Sequence, residues 1–530
     1  MSIQNSNRDA MITPTALENY FSRFRENTIG QSQTFASSFG IKEIAYADWT
    51  ASGRAYRPIE EFLQKKVMPF LGNTHSSSTI TGTLMSEAYE EAKRMIKLHV
   101  NATEEDVLIF CGSGMTGAVN KLQRILGLRI PERIKNYSMG NATPVIDPFL
   151  RPIVFVTAME HHSNHLSWIE TIADVEIIPC GNDGNVDMDC FKVLLEKFSK
   201  RKNKIAAITA CSNVTGIETP YRDIAKLMHT HNGLCFVDFA CSAPYTDIDM
   251  HPDRGEHLDA IYFSMHKFLG GPGAPGILLF NKNIYANKVP DQPGGGTVLY
   301  SSPWGERDYV SGIEHREDGG TPAILQAVKA AMCVRLKEEM GVAKMRLREK
   351  EILQIIFERL DKIKNIKVLA AKTRKRLGVI SFIVDGAHHN LIVKLLNDRF
   401  GIQTRGGCSC AGTYGHSLLN VGRVRSAEIR KQIQSGNLIS KPGWVRLSIH
   451  PIMTGTEIDY IMNAVEQIAA SHGEWARDYA YDAKLGEWVF NSNQVKTAVN
   501  TEDWFNPNNW ETTATIGGAG ANRGHKDFRP

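Results

Sequence analysis

The chain has 530 residues, 42% of them hydrophobic, so it can bury a large core and is too long for one simple domain. Its 61 basic and 57 acidic residues nearly balance, which argues against a nucleic-acid-binding protein, and no apolar run reaches the roughly 20 residues of a membrane helix. The N-terminus lacks the apolar stretch of a signal peptide, and the nine scattered cysteines are typical of buried thiols in a reducing compartment. We therefore expect a cytoplasmic protein with no nucleic-acid or membrane partner.

Short apolar runs alternate with amphipathic segments between about Glu104 and Phe280. Seven of these runs predict strands, at 107–110, 153–158, 175–180, 204–212, 234–240, 260–264 and 276–280. Because the runs are almost continuously apolar, we expect an α/β fold with a mostly parallel seven-stranded sheet that is covered on both faces. PYRDIAKLMHTHNG (220–233) predicts one of the connecting helices, ended by Gly233. Ligands of such a sheet bind at the carboxyl ends of its strands.

The pattern changes after Thr321. A strongly helical stretch follows, and then the strand-like runs IKVLAA, LGVISFIVDG and GWVRLSIHP and the helix-like run NLIVKLLNDRF predict a smaller α/β domain. We expect an N-terminal extension (1–40), a large domain (41–320), connecting helices with a small domain (321–475), and a C-terminal extension (476–530). The composition of the final segment, 514–530, predicts disorder.

A lysine directly follows a predicted buried strand in SMHKFLGGPG (264–273). The amine of Lys267 would lie partly desolvated at the carboxyl end of that strand, where part of it is unprotonated and can form a Schiff base. A lone lysine at the start of a loop is more often a surface residue. Ser264, His266 and the following glycines favour a cofactor site instead.

Two other strands end in groups that suit a pyridine-containing cofactor. Asp238, in VDFACSAPY (237–245), can keep a ring nitrogen protonated, although a helix cap or turn is the commoner role of such an aspartate. EHHSNH (160–165) places His161 where a neutral imidazole can stack on the ring and move protons. Metal binding by its three histidines is the weaker interpretation, because the spacing is irregular and no cysteine is close in sequence.

Two further junctions offer polar groups at the same edge of the sheet. CGSGMTGAVNKL (111–122) is typical of a strand, a glycine turn and a helix start, where backbone N–H groups and Thr116 suit a phosphate. ACSNVTGIETP (210–220) presents Asn213, whose amide can contact the ring hydroxyl of a cofactor or a substrate. Each motif taken alone is weak evidence, since many turns contain glycine or asparagine.

The small domain contributes an arginine and a cysteine-containing loop. Arg446 lies among apolar residues in GWVRLSIHP (443–451), so it needs an anionic partner, either a substrate carboxylate or an internal salt bridge. RGGCSCAGTYGH (405–416) is a glycine-rich loop in which Cys408 or Cys410, beside Arg405, suits a nucleophile. Inert thiols, or a partial metal site with His416, are the alternatives.

These motifs occur together and in order in one known family. From about Ile44 to His472 the chain resembles class V aminotransferase-fold (fold type I) enzymes that use pyridoxal 5'-phosphate (PLP). It is most similar to group II cysteine desulfurases and to the PLP domain of molybdenum cofactor sulfurases. YADWTASG (46–53) resembles the N-terminal strand and turn of the family. The resemblance implies a homodimer that acts on an amino acid, with a possible sulfur-acceptor protein and no metal.

The resemblance also implies roles for individual residues. Lys267, Cys410 and His161 would be catalytic, and Arg446, His75 (in GNTHSSS, 72–78) and Asn213 would bind the substrate. The residues expected to hold the cofactor are Thr116, His161, Asn213, Asp238, Cys241, Ser264, His266, Lys267 and, from the loop GGTP (319–322) of the neighbouring subunit, Thr321.

Several departures from the family pattern bear on the expected activity. Cys241 stands where the family usually has glutamine, Gly117 stands where it has glutamate, and Cys408 completes a C-x-C arrangement closer to the molybdenum cofactor sulfurases. The insertion near 128–150 has no counterpart. We expect a cysteine desulfurase-like sulfurtransferase. An aminotransferase, a selenocysteine-type lyase, and a non-catalytic sulfur-carrier or zinc-binding module are the alternatives.

Overall fold

The computed structural model describes residues 15–74, 78–133, 147, 149–181, 183–252, 255–491 and 500–510. The N-terminal part comprises α1 (Ala16–Glu26), β1 (Thr34–Ser37), β2 (Gly40–Glu43), β3 (Ala45–Tyr46), α2 (Arg57–Phe62) and α3 (Ile80–His99). Thr15 begins α1 because its hydroxyl accepts the N–H of Glu18, and the helix buries Phe21 and Phe24. No helix of the described ranges is long and apolar enough to cross a bilayer.

The large sheet contains the seven predicted strands. They are β4 (Asp106–Cys111), β5 (Ile153–Thr157), β6 (Asp174–Ile178), β7 (Lys204–Thr209), β8 (Leu234–Asp238), β9 (Ala260–Ser264) and β10 (Gly276–Asn281). Their order across the sheet is β4-β10-β9-β8-β7-β5-β6, and only β10 runs antiparallel to its neighbours. The predicted mostly parallel α/β sheet is therefore confirmed, and its apolar strands are buried as expected except for the edge strand β6, which is partly exposed.

Helices between the strands cover the sheet. They are α4 (Met115–Ile125), α5 (His162–Ile169), α6 (Met188–Lys197) and α7 (Tyr221–Thr230). The helix predicted over 220–233 is α7, which buries Ile224, Ala225 and Met228 and ends before Gly233. Because these crossovers join parallel strands, the carboxyl ends of β5, β7, β8 and β9 open toward one edge of the sheet.

A hairpin and a short helix complete the large domain. The hairpin joins β11 (Val298–Ser301) to β12 (Arg307–Tyr309), and α8 (Ile313–Glu317) follows it. The carboxylate of Glu317, buried against the sheet, lies 2.9 Å from the ammonium of Lys121 on α4. This buried ion pair fixes the start of the GGTP segment to the large domain.

The helical stretch after Thr321 forms two helices rather than one long element. They are α9 (Ile324–Met340) and α10 (Val342–Leu360), and Gly341 separates them with a φ of 74°. A left-handed residue cannot continue a right-handed helix, so glycine is the natural residue at this break.

The small domain is built on a four-stranded antiparallel sheet. Its elements are β13 (Ile366–Val368), β14 (Val379–Val384), α11 (His389–Phe400), β15 (Ile402–Gln403), β16 (Arg405–Gly407), α12 (Gly412–Leu418), α13 (Arg423–Gln434), β17 (Trp444–Ser448) and α14 (Gly455–Trp475). The sheet order is β13-β14-β17-β16, while β15 pairs with β3. A hairpin of β18 (Tyr479–Asp482) and β19 (Glu487–Phe490) follows. The predicted insertion (128–150) and the final segment (514–530) lie mostly or wholly outside the described residues.

Candidate active site

A cavity of about 210 Å³ lies at the carboxyl ends of the large-sheet strands and is closed by residues of the small domain. It is lined by Thr50, Ala51, Met115, Thr116, His161, Thr209, Cys211, Asn213, Asp238, Ala240, Cys241, Ser264, His266, Lys267, Arg405, Ser409, Cys410 and Arg446. Most of the residues that the sequence singled out therefore meet at one place. The predicted residues that line the cavity come from seven separate segments of the chain.

Lys267 reaches the cavity from a short turn, Met265–Lys267, that directly follows β9. Burial lowers the pKa of its amine, against the opposing effects of Cys241 and Asp238. Lowering this pKa increases the fraction of neutral amine near neutral pH. A neutral amine is the nucleophilic form that can attack a carbonyl carbon.

Asp238 is the last residue of β8 and is buried beside the lysine. Its Oδ1 accepts the N–H of Ala240 at 2.8 Å. Burial raises the pKa of this carboxyl to about 6, although the Ala240 hydrogen bond and Lys267 favour the charged form. A buried carboxylate with a raised pKa gains most from a cationic partner, such as a protonated ring nitrogen.

The start of α4 forms a cradle for an anion. The N–H of Met115 donates to Ser264 Oγ at 2.9 Å, and Thr116 Oγ1 lies 2.7 Å from Ser163 Oγ. A Cβ at Gly114 would come within 2.9 Å of the Ser264 hydroxyl, so the cradle requires glycine there. Hydroxyls and free N–H groups at a helix N-terminus are typical of a phosphate site.

His161 lies above the cavity as the N-cap of α5. Its Nδ1 accepts the N–H of Ser163 at 3.1 Å, which assigns the ring proton to Nε2. Burial, and to a smaller extent the charge of Lys267, lowers the pKa of His161 to about 4. The imidazole is therefore neutral at physiological pH, as a ring-stacking and proton-moving group requires.

The other two histidines of EHHSNH hold the cysteine loop instead of facing the cavity. His162 Nε2 accepts the backbone N–H of Gly412 at 2.9 Å, and the backbone N–H of His162 donates to the carbonyl of Cys410 at 2.7 Å. His165 Nδ1 lies 3.1 Å from the hydroxyl of Thr413. No local sequence pattern indicates this role, because it depends on a contact between segments that are distant in sequence.

The cysteine loop turns sharply, and this separates its two thiols. Ser409 and Cys410 have φ angles of 50° and 56°, so the chain here is not the extended loop that would point residues two apart the same way. Cys410 is exposed and lines the cavity. Cys408 is half-buried and packs against the small-domain core.

Asn213 connects this loop to the cavity. Its side-chain N–H donates to the carbonyl of Ser409 at 2.7 Å. Its Oδ1 is buried and has no hydrogen-bond partner within the described ranges. Since a buried, unpaired amide oxygen costs free energy, this oxygen is available to a ligand in the cavity.

Arg446 forms an internal salt bridge, which is one of the two kinds of partner that the sequence left open, and it shares the aspartate of this bridge with Arg405. Arg446 is buried on β17, and its NH2 group lies 2.7 Å from Asp48 Oδ1, while Arg405 lies 3.0 Å from Asp48 Oδ2. The Nε of Arg446 is buried without a partner in the described part of the chain. Asp48 lies two residues after the end of β3 in YADWTASG, and a carboxylate close to the end of a short strand is the local signal that could have indicated it.

Cys241 belongs to a pair of buried thiols. The hydrogen bond from Cys211 lowers the pKa of the Cys241 thiol, and the nearby Lys267 acts in the same direction. Cys211, which lines the cavity as well, was not singled out in the sequence.

The roles predicted for two further site residues are not tested by this cavity. Thr321 is exposed and is absent from the lining of the cavity of its own chain. His75 lies outside the described residues. Their predicted roles therefore remain predictions.

The residues present fit PLP. A desolvated lysine, a buried carboxylate, a glycine-dependent phosphate cradle and a neutral histidine surround one cavity, and they match the aldehyde, ring nitrogen, phosphate and ring face of that molecule. The unpaired Asn213 Oδ1 can accept a hydrogen bond from a bound ligand, and the unpaired Arg446 Nε can donate one.

Comparison with protein families and curated proteins agrees with this arrangement. The aminotransferase class-V family profile matches residues 151–461. Probable cysteine desulfurases from Halalkalibacterium halodurans and Staphylococcus epidermidis are each 28% identical, over 376 and 380 residues. These alignments cover 69% and 70% of this chain and 84% of each relative.

Solved structures with the same fold include two cysteine desulfurases. The apo enzyme from Thermococcus onnurineus aligns with a TM-score of 0.65 at 21% identity, and an S-sulfonic acid form from Escherichia coli aligns with a TM-score of 0.64 at 20% identity. Each alignment covers 85% of this chain and 98% of the other chain. The fold is therefore that of fold type I PLP transferases.

Proposed function

The chain belongs to the class V aminotransferase family, and we propose that it is a PLP-dependent cysteine desulfurase-like sulfurtransferase. It would take L-cysteine as substrate, transfer the sulfur to Cys410 as a persulfide and release alanine. One observation carries the proposal: the amine of Lys267 and the thiol of Cys410 line the same cavity, and Cys410 comes from a loop of the small domain.

The chain's own residues would hold PLP in a defined orientation. Thr116, Ser264 and the N-terminus of α4 would bind the phosphate, and Asp238 would hold a proton at the ring nitrogen. Lys267 would hold the aldehyde carbon in a Schiff base. When bound, the cofactor supplies an electron sink for the electron pair at the substrate Cα.

Proton movement would fall to two groups that line the cavity. Once substrate is bound, the Lys267 amine would accept a proton from Cα and return it, because burial lowers its pKa and so favours the neutral form. His161, held in its Nε2-protonated tautomer by the Ser163 N–H, can exchange a proton with the substrate side chain. Arg446 would bind the substrate carboxylate through its unpaired Nε, while Asp48 keeps the guanidinium in place.

Sulfur transfer would be the work of Cys410. Its thiolate attacks the substrate sulfur, so that an S–S bond forms as the C–S bond breaks. The carbon fragment takes up a proton and leaves as alanine. Asn213 and His162 hold the backbone of the loop on both sides of this thiol, through Ser409 and Gly412. A positioned nucleophile avoids the entropic cost of ordering the loop at each turnover.

The assembly and the partners are part of the same proposal. A homodimer would bring Thr321 of one subunit to the phosphate of the other, which is consistent with its exposed position outside the lining of its own chain's cavity. The exposed Cys410 would allow a sulfur-acceptor protein to collect the persulfide. We place the reaction in the cytoplasm, where the thiols stay reduced.

The proposal is tested with PLP-loaded protein and L-cysteine in the absence of any keto acid. We expect alanine and, with a thiol reductant, sulfide in equal amounts. In Cys410→Ser sulfide release should be abolished, while borohydride reduction still attaches the pyridoxyl group to Lys267. Cys408→Ser is the matched control and should retain turnover, with a changed sensitivity to oxidation.

The alternatives give different results in the same assay. If Cys410→Ser is as active as the parent, sulfur transfer through this thiol is wrong, and a lyase mechanism takes its place. Conversion of cysteine that requires a keto acid would indicate an aminotransferase. A borohydride label on any lysine other than Lys267 would contradict the cofactor assignment.

A further inference from the structure

Three potential metal ligands meet at the opposite edge of the large sheet from the active-site cavity. His229 lies in the last turn of α7, Asp259 directly precedes β9, and His257 lies in the connection between β8 and β9. One ligand atom of each residue lies within 4.8 Å of the ligand atoms of the other two. Neither the family resemblance nor the proposed reaction gives this cluster a role.

The hydrogen bonds of His229 identify its free ring atom. Its Nδ1 lies 2.9 Å from the carbonyl of Gly255, and a carbonyl can only accept, so Nδ1 carries a proton. The other ring nitrogen, Nε2, then presents a lone pair in the neutral ring. A histidine held through one nitrogen by a backbone carbonyl, with the other nitrogen free, is the usual arrangement of a metal ligand.

His229 Nε2 faces an oxygen that is itself an acceptor. Asp259 Oδ2 lies 3.0 Å from Nε2 and also accepts the N–H of Cys235 at 2.8 Å. Two acceptor atoms at this distance need a positive species between them. A proton can take this position when no metal is bound, and a divalent cation can replace it.

The spacing of the three groups suits a small transition-metal ion. Ligand atoms about 2.0–2.1 Å from a tetrahedral zinc are about 3.4 Å from each other. The Nε2 of His229 lies 3.0 Å from Asp259 Oδ2, and that of His257 lies 3.9 Å from Asp259 Oδ1. Imidazole and carboxylate donors together favour Zn²⁺ and similar ions over Ca²⁺ or Mg²⁺.

One adjustment is needed before His257 can bind the same ion. Its ring stacks on that of His229, with centroids 3.8 Å apart and planes 8° from parallel, so the in-plane lone pairs of the two rings do not converge. The side chain of His257 is 46% exposed, which leaves it room to rotate, whereas His229 and Asp259 are fixed by their backbone contacts.

We propose that His229, His257 and Asp259 bind one divalent transition-metal ion of the Zn²⁺ class, with water completing the coordination. Binding releases the proton between His229 and Asp259 to solvent. The ion would link the end of α7 to the start of β9, whose other end leads to Lys267. Its role would be structural, because the site lies at the far end of that strand from the cavity.

The test is a titration of the PLP-loaded, chelator-treated protein with ZnCl₂, followed by calorimetry, and with CoCl₂, followed by visible spectroscopy. We expect one zinc bound per chain, an increase in melting temperature on binding, and a cobalt spectrum without a thiolate charge-transfer band. His257→Gln should lose at least about 10-fold in zinc affinity together with the melting-temperature increase. It alters an exposed side chain, so the fold should be retained.

The matched variants make the result decisive. His229→Gln should behave like His257→Gln, whereas His231→Gln, which alters the residue after α7 without touching the cluster, should bind zinc as the parent does. Failure of the parent to bind zinc would overturn the proposal. So would a zinc affinity in His257→Gln and His229→Gln that equals that of the parent, or a cobalt spectrum with thiolate bands, since either result would place the ion elsewhere.

Discussion

Asp238 shows how a single buried carboxyl can determine the chemistry of a cavity. Burial raises its pKa to about 6 in the protein without ligand, so the carboxylate is costly there and is stabilised by any cation that binds beside it. A protonated ring nitrogen of PLP is such a cation. The carboxylate would then favour the charged ring, which withdraws electrons more strongly.

We therefore predict that Asp238→Asn retains PLP but loses about 100-fold or more in kcat. Asparagine keeps the oxygen that accepts the N–H of Ala240, so the local fold should survive. A neutral amide is also cheaper to bury, so the melting temperature of the cofactor-free protein should be unchanged or higher. Steady-state kinetics, cofactor absorbance and thermal unfolding check the three parts.

The control for this substitution is Asp223→Asn, in the first turn of α7, which should leave kcat unchanged. An Asp238→Asn protein with the activity of the parent would show that another group protonates the ring. A protein that unfolds on substitution would instead show that the carboxylate is needed for folding.

At the scale of single residues, the sequence indicated polar groups at or shortly after the ends of apolar strands. Asp238 is the last residue of β8 and Lys267 lies three residues after the end of β9, so both could be found from the continuous apolar runs that form these strands. Asp48 and Cys211 were missed. Their importance comes from long-range neighbours, Arg446 and Cys241, and local sequence holds no record of such contacts.

At the scale of elements, α5 and the cysteine loop act as a pair. Helix α5 presents His161 to the cavity from its N-cap, and one residue later His162 holds the loop through both its ring and its backbone. The loop contains two consecutive left-handed residues, an uncommon conformation outside glycine that persists only where surrounding contacts enforce it.

We predict that His162→Ala lowers kcat for sulfide release by about 10-fold to 100-fold and leaves PLP affinity unchanged, because a small displacement of the nucleophile is costly. The substitution removes the acceptor for the Gly412 N–H and leaves the His161 stacking position intact. Kinetics and cofactor titration separate the two effects. His231→Ala, remote from the cavity, is the control. A fall in PLP affinity without a fall in kcat would contradict the positioning role.

Strands were predictable where the sequence contains a mostly apolar run. All seven strands of the large sheet and the strands of β13, β14 and β17 were anticipated, because each is a mostly apolar run. The strands β15 and β16 and the hairpins were not anticipated. They are two to four residues long, too short for a clear hydrophobic pattern, so only their pairing partners define them.

At the scale of the whole molecule, one exposed apolar surface lies next to the GGTP segment. The hairpin of β11 and β12 exposes 75% of Leu299, 52% of Tyr300 and 82% of Trp304. Its base is tied to this segment, since the N–H of Gly320 donates to the carbonyl of Gly295 at 2.9 Å. Clustered apolar side chains of this size on a surface are typical of a protein–protein interface.

We predict that this hairpin packs against a second copy of the chain, and that Trp304→Glu yields monomers, because burying an unpaired carboxylate in an apolar interface is costly. Light scattering should show the parent as a twofold dimer at micromolar concentration. If the partner subunit completes the phosphate site through Thr321, the monomeric variant should also bind PLP more weakly. Trp504→Glu is the control, since Trp504 is 64% exposed in the C-terminal segment and should not affect assembly.

A parent protein that is monomeric and fully active would contradict the composite site. A Trp304→Glu dimer with unchanged PLP affinity would place the interface elsewhere on the surface.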